Sequence, residues 1–334
     1  MNTSPFNPPQ PPRNGMSVDG KMPGGLHTNG LGLPVNGTFT MPSGFARPPE
    51  LAHQHSFDHP RRITYRAPAT TRAVAMWLEH PHLTICGLSA LALFGLPFFA
   101  DSNDTTLRGM TRRKQLATQF TPLILRRPAD TTWTVRACGY VIPISPPELA
   151  VAETLQLIRH GTYSWQVYPV DGYDPTDIRA IQLIDASLRH LSLPLTPILT
   201  AGRGMVNQRW LKKVSGLSSA LADSPKETEM RLLILALCRE LGLELGVDLV
   251  EQHALMGGDK IITVFDLAIP GLRIGIMYDG EHHLTRQQRD RDSRINIECA
   301  KQDWAVIRVT AGTLHSLPDT LRQLVLARRG FLQG

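Results

Sequence analysis

Residues 264–283 read VFDLAIPGLRIGIMYDGEHH. Two short apolar runs flank Pro270-Gly271, a dipeptide that reverses the chain, so the stretch predicts a pair of strands joined by a tight turn. Side chains alternate across a strand. A turn centred on Pro270-Gly271 therefore sets Asp266 against the neighbourhood of Gly275 and Met277, with Asp279 on the same face. An acid at one strand end, a second acid after the next strand and His283 just beyond it are residue types suited to a hard divalent cation and to proton transfer. Met277 departs from that pattern, because a thioether is a soft ligand and does not replace a carboxylate. The competing reading is a hairpin with polar ends, in which Asp266 caps its strand and Asp279-Gly280 is a turn pair.

The flanking sequence supplies the context. SPKETEMRLLILALCREL (residues 224–241) reads as a helix with Ser224 as N-cap, Pro225 in the first turn and Glu227 three residues after the cap. Glu227 is thus either the far member of a capping box or an acid facing the strands, and both readings stand. LELGVDLVEQHAL (243–255), KIITVFDLAIP (260–270) and LRIGIMYDG (272–280) read as three strands. TRQQRDRDSRINIECAKQ (285–302) is a second helix, with Thr285 and Gln288 spaced for a capping box; WAVIRVT (304–310) is a fourth strand and LPDTLRQLVLARRGFL (317–332) a closing helix. Arg286, Arg289 and Arg294 on the second helix either present positive charge to phosphate or belong to a salt-bridged solvent face, since Asp290 and Arg294 stand one helical turn apart.

This order, α, β, β, β, α, β, α, with SPKE, FDLAIP, YDGEHH, RDRDSR and DWAVIRVT in sequence, resembles the PD-(D/E)XK restriction-endonuclease-like superfamily, in particular its branch around the very-short-patch repair endonucleases. The resemblance covers residues ~222–332 and implies an α/β domain with a mixed sheet flanked by helices. It also implies a magnesium- or manganese-dependent DNA endonuclease holding one or two ions. By resemblance Asp266 is the primary metal ligand, with Glu227 and the backbone carbonyl of Tyr278 completing the set. Asp279 and His283 handle water, and the arginines hold phosphate. Family members commonly carry Glu where Met277 stands, but the very-short-patch group also lacks an acid there.

The rest of the chain is less specific. With 334 residues, 42% of them hydrophobic, it is long enough for two packed cores. Its net charge of +6 favours anionic partners such as DNA. Residues 1–60, with 11 Pro and 8 Gly, predict a disordered tail; the HQHSFDH run at 53–59 within it is either a set of incidental polar residues or a transition-metal-binding stretch. Residues 61–215 predict a smaller α+β domain: helices around Val74–Leu78 and Leu88–Phe94, strand-like pieces at 121–127 and 131–144, and an amphipathic helix from Ser145. Its stretch at ~70–155 resembles the antitoxins of abortive-infection systems (AbiEi type), which implies a nucleic-acid-binding or regulatory role. Residues 105–129 hold Arg108, Arg112, Arg113, Lys114, Arg126 and Arg127 and no acid, a candidate basic patch or a solvated loop face. The uncharged Leu83–Ala100 run approaches a membrane span in length, but Gly87, Gly95 and Pro97 predict a buried helix and turn. Residues 216–334 complete the division as the restriction-endonuclease-like domain. Four widely spaced cysteines suit a reducing cytoplasm; no membrane is expected, and a protein partner and the oligomeric state are left open.

Overall fold

The structure is a computed structural model that describes residues 38–40, 59, 61–65, 67–111, 117–128, 131–137, 139–280 and 286–333. The chain is mixed α/β, with two mixed sheets flanked by helices. It divides into two compact units, one of residues 1–167 and 175–220, the other of 168–174 and 221–334. The division falls five residues beyond the expected 215/216 boundary, and a short segment from inside the first stretch groups with the second unit.

In the first unit β1 (Thr38–Thr40) pairs in parallel with β5 (Trp133–Ala137), so three residues of the tail expected to be disordered are strand; most of the remaining tail lies outside the described residues. The sheet runs β1, β5, β6 (Tyr140–Ile144), β2 (Thr84–Ile85), β3 (Thr106–Arg108), β4 (Leu123–Leu125). The 131–144 piece is a hairpin, β5–β6, because Gly139 takes a left-handed φ of 82° at the reversal. Leu83–Ala100 resolves into β2, an eight-residue buried helix and a turn closed by Gly95 at φ 102°. No described helix is long and apolar enough to cross a membrane.

Before these strands and between them stand α1 (Ala69–Glu79) and α2 (Gly87–Phe94). The helices α3 (Pro147–Arg159), α4 (Pro175–His190), α5 (Leu195–Ala201) and α6 (Gln208–Ser215) then complete the first unit. Buried polar contacts hold its centre. Arg108 lies 3.3 Å from Glu153, and both side chains are almost wholly buried, so Arg108 belongs to a core ion pair and leaves the expected basic patch. Asp104 gathers His59 at 2.9 Å, Arg61 at 2.7 Å and the Tyr65 hydroxyl, which ties residues 59–65 to this part of the first unit. His59 is therefore part of this cluster.

The second unit has the order read from the sequence: α7 (Pro225–Leu241), β7 (Val250–Gly257), β8 (Lys260–Ile269), β9 (Ile274–Tyr278), α8 (Arg286–Lys301), β10 (Ala305–Val309), α9 (Leu317–Gln333). The sheet runs β10, β9, β8, β7, with β7–β8–β9 antiparallel and β10 parallel to β9. The strand expected over 243–255 starts only at Val250, because Gly246 at φ 82° and the Glu244 carbonyl turn the preceding residues. Phe265, Leu255, Ala268 and Cys299 form a buried apolar cluster against which Met277, Ile295 and Trp304 pack. The Trp304 ring stacks on Phe265 at 5.1 Å and on His253 at 5.4 Å. Gly275 is required by that packing: a Cβ there would come within 2.4 Å of the Phe265 ring.

Candidate active site

α7 starts where Ser224 adopts extended backbone and its hydroxyl oxygen accepts the Glu227 N–H at 3.2 Å. Glu227 returns the contact, its Oε1 accepting the Ser224 hydroxyl at 3.0 Å and its Oε2 the Asp223 N–H at 2.8 Å. The capping box therefore forms, with the amide at the residue before the cap as its second donor. The same carboxylate lines a small open cleft together with Asp266, Arg231, Glu251 and Gln252. Cap and cleft coincide in Glu227, so the two readings of this residue are not exclusive.

Asp266 reaches the cleft from the end half of β8. Its Oδ2 accepts the Tyr278 N–H at 2.6 Å, and its Oδ1 lies 3.5 Å from the Gln252 amide nitrogen. The Tyr278 main chain thus sits against Asp266 through its N–H donor. Burial is the main cause that pushes the Asp266 carboxyl up to about 6, with the Tyr278 N–H opposing it and the charges of Asp223 and Asp279 adding to it. Burial likewise pushes Glu227 up to about 7, and the negative charge of Asp266 is the next cause. At neutral pH Asp266 is therefore largely ionised, while Glu227 stands between its two protonation states.

The rest of the expected constellation does not converge on that cleft. The 3-10 turn Pro270–Leu272, with Arg273 at φ 50°, lengthens the β8–β9 connection, and the register pairs Leu267 with Ile276 and Ala268 with Gly275. That register carries Asp266 toward Met277, two residues further along than a tight Pro270-Gly271 turn would set it. Yet Met277 packs into the Phe265–Cys299–Trp304 cluster, with its sulfur 4.0 Å from the Thr263 hydroxyl, while Asp266 opens on the α7 cleft. The common face expected from simple alternation is lost because Phe265 and Ala268, three residues apart, both enter the same cluster.

Asp279 is held by Arg308 at 3.1 Å, Arg308 also lies 3.6 Å from Asp292 on α8, and Asp279 does not line the Glu227–Asp266 cleft. His283, Arg112 and Arg113 lie outside the described residues, and α8 carries Arg286 and Arg289 at positions whose side chains are likewise not described. Arg294 is exposed, and its Nε donates to the Asp290 carbonyl at 3.3 Å. The expected carboxylate partner is replaced by that main-chain oxygen.

No protein-family model, curated protein or solved structure matches this chain. The chemistry of the site is therefore carried by its own donors. Carboxylate oxygens suit a hard divalent cation, and three carboxylates, Glu227, Asp266 and Glu251, line the cleft together with the Arg231 cation. Among the described residues, no three His, Cys, Asp or Glu side chains stand close enough together to hold a metal ion, so the donor types fit and the described set is incomplete. Sequence reasoning missed Arg231, Glu251 and Gln252, which complete the cleft wall. Nothing in their spacing marks them, because they meet Asp266 only through the pairing of β7 with β8 and the packing of α7.

Proposed function

We propose that residues 221–334 act as a metal-dependent endonuclease domain of restriction-endonuclease-like type that hydrolyses DNA phosphodiester bonds. The observation that carries this reading is the pairing of Asp266 and Glu227 in one cleft, both raised by burial and Glu227 raised further by the charge of Asp266. Structural carboxylates are ordinarily placed beside cations or donors that lower their pKa, and a buried pair raised together in a cleft is more characteristic of a functional site. The α, β, β, β, α, β, α order and the parallel β9–β10 pair support the fold assignment.

In this reading Asp266 and Glu227 hold a magnesium or manganese ion, with the Tyr278 carbonyl as a further oxygen. The ion, when bound, polarises the scissile phosphate and lowers the pKa of water. His283 would take the proton from the attacking water and Arg286, Arg289 and Arg294 along α8 would hold the DNA backbone, while the water-handling role of Asp279 would require it to leave Arg308. The test is nicking of a supercoiled plasmid with magnesium and with manganese, comparing wild type with Glu227→Gln and Asp266→Ala. Cleavage that needs the cation and falls in both variants supports the proposal.

A second reading is favoured by one specific observation: Met277 is built into the apolar cluster and Asp279 is neutralised by Arg308. Under it the fold is a scaffold, and the chain is an antitoxin-like nucleic-acid-binding or regulatory protein with a degenerate site. Tight, salt-sensitive DNA binding without cleavage by wild type would select this alternative.

A further inference from the structure

Six non-glycine residues among those described take a positive φ, and Gln252, at φ 50°, is the one that lies inside a strand. The left-handed region is costly for a side chain with a full Cβ and is rare in a β ladder, where it persists only if the surroundings enforce it. Here it coincides with a break in pairing. The β7–β8 register is the same on both sides, Glu251 with Leu267 and His253 with Phe265, but it skips the Gln252–Asp266 pair between them. Both residues line the cleft, and the Gln252 amide nitrogen stands 3.5 Å from Asp266 Oδ1, the long end of hydrogen bonding.

The ladder therefore opens at the position of the cleft's carboxylate, and the residue opposite is twisted so that its amide faces that carboxylate. Phe265 packs in the cluster beside Met277, so alternation turns Asp266 to the opposite, cleft side, where Leu267 and Glu251 also lie instead of returning to the cluster. We propose that Gln252 is a positioning residue: its strained backbone keeps the ladder open at Asp266, and its amide fixes the orientation of the carboxylate for a divalent cation. This inference rests on the reading of the cleft as a cation-dependent nuclease site. Strain stored beside a site and stability lost to keep it open are a recurrent arrangement in functional clefts.

The test uses the full chain and three variants. Gln252→Gly relaxes the left-handed backbone and removes the amide. Gln252→Asn keeps an amide on a residue that tolerates the left-handed region, and Gln252→Ala keeps the strain without the amide. The readouts are the metal-free melting temperature and the magnesium concentration giving half-maximal plasmid nicking. The expected result is a melting temperature raised by a few degrees in Gln252→Gly but not in Gln252→Ala. Both variants should need about tenfold more magnesium, as loss of a side chain that orients a metal ligand commonly costs, and Gln252→Asn should recover part of that loss. A Gln252→Gly protein that melts below wild type, or that nicks with wild-type magnesium dependence, overturns the inference and leaves the nuclease reading standing. Wild type that shows no magnesium-dependent nicking overturns that reading, and the inference with it. The metal-free stability arm separates a strained positioning residue from an ordinary structural one, because a merely structural glutamine loses stability on truncation to glycine.

Discussion

Asp266→Asn isolates the electrostatics of the cleft without requiring activity. The substitution keeps the shape of the side chain and leaves an oxygen to accept the Tyr278 N–H that Oδ2 accepts at 2.6 Å, while removing the charge. Burial raises Asp266 from 3.8 to about 6 and raises Glu227 from 4.5 to about 7 with help from the Asp266 charge. A carboxyl whose folded pKa is raised contributes stability that is present below its unfolded pKa and is lost as pH rises through the folded value. For these two groups the loss runs from about pH 4 to about pH 7. At about 1.36 kcal/mol per pKa unit, the Asp266 shift alone corresponds to at most about 3 kcal/mol, and partial exposure reduces it to roughly 1–2 kcal/mol. The metal-free Asn variant is therefore expected to be more stable than wild type by roughly 1–2 kcal/mol near pH 8, with the gap closing near pH 4 as wild-type Asp266 becomes protonated. Urea unfolding of both proteins across that range measures the gap. A variant that is less stable than wild type at the alkaline end, or a gap that does not change with pH, would refute the reading that burial raises the Asp266 carboxyl.

Other outcomes follow from the packing. Met277→Glu is expected to destabilise by roughly 1–3 kcal/mol, since the carboxylate would enter the cluster of Phe265, Cys299 and Trp304; thermal melting checks it, and an unchanged melting temperature would show that the side chain can swing out toward Asp266. Gly275→Ala places a Cβ within 2.4 Å of the Phe265 ring, so a loss of about 1–3 kcal/mol is expected, read by denaturant midpoint together with altered Trp304 fluorescence. Arg108→Ala strips the partner from Glu153, a side chain only 1% exposed, and should cost roughly 3–5 kcal/mol without changing DNA affinity at matched folded fraction. Loss of DNA binding in a folded Arg108→Ala protein would return this arginine to a surface role.

The element order of the second unit was legible because each element carries a local signal: the Ser224 cap with Glu227, the apolar runs on either side of Pro270-Gly271, and the amphipathic closing helix. The cleft itself was only half legible. Asp266 and Glu227 stand out as acids at element ends, and the fold brings them together. Gln252, Arg231 and Glu251 have no such mark, because their place depends on a register between strands and on one residue with positive φ. Alternation slipped between Phe265 and Ala268, with Asp266 and Leu267 both on the cleft side, and such a slip is not encoded in apolar periodicity. In the first unit, Arg108 read as surface charge because its partner, Glu153, lies 45 positions further along the chain and meets it only through the packing of α3 on the sheet.

Single-turnover cleavage of a duplex by the intact chain, with magnesium titrated in the presence and absence of Asp266, bears most directly on the cleft as a nuclease site. Wild type is expected to cut in a magnesium-dependent manner, and Asp266→Ala to lose at least about a hundredfold in rate at every magnesium concentration. Cleavage that survives Asp266→Ala unchanged, or binding of duplex with no cleavage by wild type at any concentration of magnesium or manganese, would contradict it.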